Sequence, residues 1–582
     1  MEISSISGLM CEIRGHNVIK WIRGQARLFF MIFALIFSCR ISAQEKSPGL
    51  RQMAEQRLAE RGEVIIRFLK PEDKTLDYLT TYLSIDQVNH DTVIAYVNAM
   101  GFALFLSERI PYELMQPPSL KETAKNQNQT TGNWHDHYPS YPVYIALMDS
   151  FFGAYPGLCT LAEIGKSMNN HRLLVVRISG PVPFQERVPV VLLTSSIHGD
   201  EPLGFYLMLR MIEELLGHYG SDDQIKGLVD STEIWINPLA NPDGTYFVSD
   251  NSVGGSTRFN ANQVDLNRNF PDPVNGEHPD GNSWQDETIA MMNFMKSIPL
   301  QLSVNFHGGS EVVNYPWDAL VTLHADDRWY KHIARAYADT VHMHGPAGYM
   351  TAQDNGTTNG YQWYPIHGGR QDFVNFYLHG REVTIELSVN KIPAETSLND
   401  FWNYNRNSMI QYIRQALTGV TGKVTDSLTE LPVKAMMEIP DHDRDNSEVY
   451  SDPADGIFFR LLEAGEYICE ISAEGYAHKT MPVSVTHNRL TRLDVTLTRL
   501  PVGILYPNPF SDVVKISIAE PGGTAMLEIT DLSGRKVRQI NHQVVTGGEQ
   551  EIRVNGLASG VYFVNLLYRG QVVRQVMVRK SL

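Results

Sequence analysis

The chain has 582 residues, too long for one hydrophobic core at a prior of roughly 150 residues per domain. With 43% hydrophobic and 20% charged residues, it is neither a disordered nor a collagenous chain. Its formal net charge of −16 argues against the basic stripes that nucleic-acid binding uses, so no nucleic-acid partner is expected.

Lys20, Arg23 and Arg27 precede an apolar run at 28–37, and Ser42-Ala43 supplies small residues before Gln44. Residues 1–43 therefore read as a signal peptide, with a run too short to span a bilayer comfortably. Ile36-Phe37-Ser38-Cys39 also loosely resembles a lipobox. The segment before Lys20 is long for such a signal, which leaves a downstream start open. Cleavage leaves Cys159 and Cys469, far apart in sequence. They cannot build a disulfide framework or a cysteine zinc site and read as small buried residues.

Residues 44–133 hold a strand-like run, Glu63-Val64-Ile65-Ile66-Arg67-Phe68-Leu69, and end in the polar, turn-rich stretch 125–133. This region is either a propeptide or an N-terminal structural domain. Residues 134–418 alternate apolar strands with amphipathic helices, the pattern of a mixed α/β sheet covered by helices. The buried strand at 188–194 and the helix at 205–216 are separated by the tight turn Ser196-Ile197-His198-Gly199-Asp200-Glu201-Pro202. In an open α/β sheet, loops leaving strand ends are where ligands bind. Beyond 418 the texture changes to short strands with Gly and Asn turns, read as two small β-sandwich domains at 419–500 and 501–582. The alternating acids of Asp441-His442-Asp443-Arg444-Asp445-Asn446 lack the Gly and the closing Glu of a calcium loop and read as a solvated β-loop.

His198 and Glu201 stand three residues apart after a buried strand, and His307 follows another apolar segment, Leu302-Ser303-Val304-Asn305-Phe306. A single His-x-x-Glu is common by chance. Two His and one Glu together leave a coordination position open, as in catalytic rather than structural zinc sites. Glu386 is flanked by Val383, Ile385 and Leu387, so its carboxylate would be partly buried and in need of a partner or a task.

These residues sit in longer motifs: His198-Gly199-Asp200-Glu201, Asn237-Pro238-Leu239-Ala240-Asn241-Pro242-Asp243-Gly244, Val264-Asp265-Leu266-Asn267-Arg268-Asn269-Phe270-Pro271, Asn305-Phe306-His307-Gly308-Gly309-Ser310, Asn314-Tyr315-Pro316-Trp317-Asp318, Trp363-Tyr364-Pro365, Gly368-Gly369-Arg370-Gln371-Asp372 and Val383-Thr384-Ile385-Glu386-Leu387. In this order, over about 134–500, they resemble the zinc metallocarboxypeptidases of the regulatory (carboxypeptidase N/E/M/D-like) subfamily. That resemblance implies the metallocarboxypeptidase fold, with a transthyretin-like β-sandwich at 419–500. It further implies one Zn²⁺ per catalytic domain, held by His198, Glu201 and His307. Glu386 would be the general base of a hydrolysis by zinc-activated water, and Arg258 would stabilise the oxyanion. Asn267 and Arg268 would grip the terminal carboxylate of a peptide or protein substrate, and Tyr364 would close over the bound residue. Asp318, with Gln371 beside it, would pair with a C-terminal Lys or Arg. Where the subfamily usually has Met, this chain has Arg370; it is expected to point outward, because a cation in the pocket would weaken that preference.

The segments Leu505-Tyr506-Pro507-Asn508-Pro509-Phe510, Asp531-Leu532-Ser533-Gly534-Arg535-Lys536-Val537 and Gly556-Leu557-Ala558-Ser559-Gly560-Val561-Tyr562-Phe563, with the basic tail Arg574, Arg579 and Lys580, resemble a type IX secretion sorting domain. This implies the type IX machinery as a partner, and a secreted or outer-membrane, cell-surface location after signal-peptide cleavage. Two other readings stay open: a peptide-binding or adhesive module without activity, and an amidase acting on cell-wall peptides.

Overall fold

The computed structural model describes residues 48–120, 134–181, 187–474, 476–499, 512–518, 524–543, 548–568 and 571–580. The signal-peptide and lipobox readings, the polar stretch 125–133 and the 505–510 motif lie outside the described residues. Among those described, no helix is long and apolar enough to cross a membrane.

Helices of two turns or more are numbered here with the strands. The first unit runs α1 (Pro48–Arg61), β1 (Val64–Leu69), α2 (Asp73–Thr80), β2 (Ser84–Val88), β3 (Thr92–Val97), α3 (Ala99–Ser107) and β4 (Tyr112–Met115). The strands form a four-stranded antiparallel sheet in the order β2-β3-β1-β4. Val64, Ile66 and Phe68 alternate along β1 and pack with Leu76, Leu79, Phe102 and Phe105 in one core, the period of two that a half-buried strand requires.

The second unit is built on an eight-stranded mixed sheet in the order β11-β10-β12-β9-β7-β8-β6-β5. Its elements are α4 (Tyr141–Ala154), β5 (Cys159–Lys166), β6 (Arg172–Ile178), β7 (Val190–Ser195), α5 (Leu203–His218), α6 (Asp223–Ser231), β8 (Glu233–Asn237), α7 (Asp286–Ser297), β9 (Leu300–His307), β10 (Glu311–Tyr315), α8 (Asp327–His344), β11 (Thr357–Asn359), α9 (Arg370–Tyr377), β12 (Arg381–Leu387) and α10 (Leu398–Arg414). Every residue of β7 is buried, because helices cover both faces of the sheet. Val191 and Leu193 face the core shared with α5 and α10, whereas Val190 and Leu192 face the one shared with α7. Strands β8, β7, β9 and β12 are parallel, so their carboxyl ends lie along one edge of the sheet. The Cα partner of Glu386 on β12 is His307 on β9.

Beyond residue 418, two small sheets enclose a core that includes Val420, Val424, Phe458, Cys469, Ile471 and Leu497. The last unit pairs a two-stranded with a four-stranded sheet around Val514, Ile516, Leu527, Ile529, Val564 and Leu566. Both arrangements fit the expected β-sandwiches. Cys159 and Cys469 are buried free thiols, as read from their isolation in sequence.

The loop carrying Asp441 to Asn446 departs from expectation in part. Asp441, Arg444 and Asn446 are exposed as expected, but His442 and Asp443 also take part in the seam between the sandwich and the catalytic unit. Buried Asp326, just before α8, accepts from Arg381 Nε at 2.8 Å, from Arg460 Nη1 at 2.7 Å and from Arg460 Nη2 at 3.0 Å. His442 Nε2 lies 2.8 Å from the same carboxylate, and Asp443 accepts from Arg460. Burial works to raise the Asp326 pKa, but Arg460 and Arg381 hold it well below the usual carboxylate range. The loop's sequence carries no sign of this, since Asp443 meets Arg460 from a separate strand of the sandwich and His442 meets Asp326 from the catalytic unit. Asp326→Asn strands two buried guanidinium groups and is expected to lower unfolding stability by about 3–5 kcal/mol, measurable by chemical denaturation.

Candidate active site

Strand β7 ends at Ser195, and Ser196 takes a left-handed conformation (φ 53°) that turns the chain across the sheet edge. A Cβ on Gly199 would lie 2.2 Å from the backbone carbon of Gly244, so the close approach of two loops dictates glycine here. The turn brings His198 and Glu201 to His307 at the end of β9. His198 Nδ1 lies 3.1 Å from Glu201 Oε1, and His307 Nδ1 lies 2.9 Å from Glu201 Oε2. The two Nδ1 atoms face one another across 3.1 Å. All three residues are at most 3% exposed.

This donor set fits a divalent metal. Two ring nitrogens that close repel one another unless a proton or a cation stands between them. The outer nitrogens are already engaged: His198 Nε2 lies 3.0 Å from Asp265 Oδ1, and the Asn305 side-chain amide lies 2.7 Å from His307 Nε2. A proton held on Nε2 by Asp265 leaves the His198 Nδ1 lone pair turned inward, the second-sphere pattern of metal-binding histidines. Among the described residues, His198, Glu201 and His307 form a buried cluster able to hold an ion.

Every expected site residue except Gln371 lines one cavity, and Gln371 Nε2 donates to Asp318 Oδ1 at 3.0 Å just behind its wall. Glu386 is half-buried, and its Oε2 has no hydrogen-bond partner. Burial first, then the neighbouring charge of Glu201, pushes its pKa up to about 8. Asp318 is buried, accepts from Asn314 Nδ2 at 3.0 Å, and is raised to about 6 chiefly by burial. Gly360 leaves it room, for a Cβ there would lie 1.9 Å from Asp318 Oδ1.

Arg370 does not point outward. It is 1% exposed and runs under the sheet edge, where its Nε and Nη2 donate to the two oxygens of Glu382 at 3.0 and 2.7 Å. Thr194 Oγ1 accepts from its Nη1. The cation is thus neutralised by a fully buried carboxylate twelve residues on, at the start of β12, and does not line the cavity that Asp318 lines.

Two charged residues of the site escaped the sequence reading. Lys391, in the turn after β12, donates to Glu201 and to Gly308 O, and its Nζ lies 2.7 Å from Asp86 Oδ1. Asp86 belongs to β2 of the first unit and also accepts from Arg258 Nη1 at 3.2 Å. Burial works to lower the Lys391 pKa, but Asp200, Asp86 and Glu201 together hold it well above the ordinary lysine value. Neither residue lies in a recognisable motif. Asp86 sits in a mostly polar strand, Ser84-Ile85-Asp86-Gln87-Val88, which gives no signal for it.

Around Asp86 the first unit fills the cavity mouth. Ile85 O accepts from Arg268 Nη2 at 3.2 Å, Ser84 Oγ accepts from Arg258 Nε at 2.6 Å, and Gln87 Nε2 donates to Gly309 O at 3.1 Å. Tyr96 donates to Asp200 at 2.7 Å, and Glu63 accepts from the Arg258 backbone at 2.8 Å. Tyr364 and Ile366 belong to the first unit's own hydrophobic core. About 20 Å³ remains in the cavity, room for a water molecule but not for a peptide side chain. Replacing Asp265 by Asn is expected to weaken zinc binding by about 10–100-fold, read by titration of metal-stripped protein, with the fold retained.

Comparison with known proteins points to carboxypeptidases. A zinc carboxypeptidase family profile matches residues 144–408, and a secretion-system C-terminal sorting domain profile matches 504–579. Human carboxypeptidase D is 34% identical over 381 residues, covering 63% of this chain; the chain spans 27% of that relative's length. Mouse carboxypeptidase M is 35% identical over 352 residues, covering 57% of this chain and 77% of the relative. Among solved structures, carboxypeptidase A from Helicoverpa armigera aligns with a TM-score of 0.48 at 18% identity, over 61% of this chain and 97% of that one. With its central profile match and a relative covered over most of its length, the chain belongs to the zinc carboxypeptidase family, whose members depend on zinc.

Proposed function

We propose that the protein is an exported zinc carboxypeptidase that removes C-terminal Lys or Arg from peptides and proteins and is held latent by its first unit. The carrying observation is the meeting of His198, Glu201 and His307 at one point, with Glu386 on the neighbouring strand and a deep acid, Asp318, in the same cavity. One Zn²⁺ bound by the first three would act as a Lewis acid toward the scissile carbonyl and make a water molecule acidic enough to react.

Glu386 takes the proton from the attacking water and delivers it to the leaving amine. Its raised pKa and unpartnered Oε2 suit a group that must accept and return a proton near neutrality. Arg258 offers Nη1 to the developing oxyanion, the direction in which it now meets Asp86. Arg268 and Asn267 clamp the terminal carboxylate, which makes the enzyme an exopeptidase. Asp318 is buried behind them and meets a cationic side chain; an apolar side chain would leave it unpaired, which is the source of discrimination. Pairing of Arg370 with Glu382 keeps that discrimination intact.

Latency rests on Asp86, whose carboxylate sits between Arg258 and Lys391 while Ile85 O occupies Arg268. Residues 44–133 then act as a propeptide, released by cleavage within 125–133. The C-terminal match supports export through type IX machinery to the medium or the cell surface.

Glu386→Gln is expected to lower kcat by about 10²–10⁴-fold with zinc content unchanged. Peptides ending in Arg or Lys should outrun those ending in Leu or Phe, and Asp318→Asn should cut that preference by about 100-fold or more. Because protonation removes the Asp318 charge, KM for an Arg-ending peptide should rise as pH falls through about 6. Faster turnover of Leu or Phe substrates would contradict the specificity. Cleavage at 125–133, or Asp86→Ala in the intact chain, should raise kcat/KM by about tenfold or more; equal rates before and after cleavage would remove the latency.

A further inference from the structure

A second group of nitrogen and oxygen donors lies at the seam between the catalytic unit and the sandwich, apart from the active-site cavity. His332 is on α8. Glu463 stands in the turn between the strands Ile457–Leu461 and Gly465–Ser472, and His487 in the turn between Lys479–Val485 and Leu490–Arg492. One donor atom from each lies within 4.8 Å of the others. His332 Nδ1 is 3.7 Å and His487 Nε2 3.4 Å from the same atom, Glu463 Oε1. The two imidazole rings stack with centroids 4.6 Å apart and an interplanar angle of 17°.

Glu463 is the feature in need of an explanation. It is 8% exposed, and its Oε2 is shielded from solvent without a hydrogen-bond partner. Among the described residues its carboxylate contacts no Lys or Arg, in contrast to the other interdomain acid, Asp326, which has two arginines. A carboxylate so placed is costly unless a cation joins it. Two imidazoles with one carboxylate make the donor set of zinc, copper and nickel ions rather than of calcium or magnesium, which prefer oxygen.

We propose that His332, Glu463 and His487 form a second divalent transition-metal site, with zinc as the expected occupant, that clips the sandwich to the catalytic unit. An imidazole donates in its own ring plane, so the near-parallel stack must open by rotation of one ring. The His332 and His487 side chains are 42% and 45% exposed, which gives them the space to turn. Binding at this site would draw one ligand from the catalytic unit and two from the sandwich. It would therefore stabilise their union without touching the reaction.

The test uses the full chain, stripped of metal and titrated with Zn²⁺ at neutral pH by calorimetry and elemental analysis, beside Glu463→Gln and His487→Ala. The unaltered chain should take up a second equivalent of zinc beyond that of the catalytic cluster, with a further rise in Tm. Both variants should lose that second equivalent and the accompanying rise while hydrolysing peptide at the unaltered rate. Equal zinc uptake by the unaltered chain and the variants overturns the proposal. If His487→Ala does not fold, Cu²⁺-loaded unaltered chain decides by electron paramagnetic resonance: a second nitrogen-ligated signal supports the site, and one signal alone refutes it.

Discussion

Two imidazole nitrogens at 3.1 Å, with a carboxylate in reach of both, set the terms for this molecule. Buried as they are, the two facing ring nitrogens of His198 and His307 repel one another without a proton or a cation between them. Much of the surrounding architecture keeps that contact in place. Parallel β7 and β9 end side by side, Gly199 lets the loop close on its neighbour, and Asp265 and Asn305 hold the outer faces of the two rings. Because Glu386 pairs with His307 in register, the sheet also fixes the distance between the metal cluster and the acid beside it.

The same cluster explains why so much charge is buried at one edge. Lys391 and Arg258 both donate to Glu201, and both meet Asp86 from the first unit. An anion from outside the catalytic unit is thus held by two cations beside the metal cluster. Under the proposed latency, release of the first unit would also remove this carboxylate from the cavity. The Arg370–Glu382 pair follows another logic: it spans the polar residues Thr194 and Ser303 within the sheet and keeps a full positive charge away from Asp318.

The site was largely legible in the sequence because its residues sit in loops leaving buried strands, where short motifs survive as contiguous runs. His198, Glu201, His307, Asn267, Arg268, Asp318, Tyr364 and Glu386 all line the cavity that those motifs implied. The fold class was legible for a related reason: runs such as Val190-Val191-Leu192-Leu193 have no polar face and must lie in a sheet covered on both sides. Asp86, Lys391 and the inward course of Arg370 were not legible, since each is defined by a partner brought to it by tertiary packing. The Asp441 to Asn446 loop is solvent-exposed in part, as expected, but its seam contacts were not legible either. Asp443 meets Arg460 and His442 meets Asp326, and nothing local announces either contact.

The most direct measurement is anomalous X-ray scattering at the zinc edge from crystals of the purified protein. The account predicts a peak about 2.0–2.2 Å from His198 Nδ1, His307 Nδ1 and the Glu201 carboxylate. Density that shows these three side chains directed apart, with no peak between them in protein that hydrolyses peptides, would contradict it.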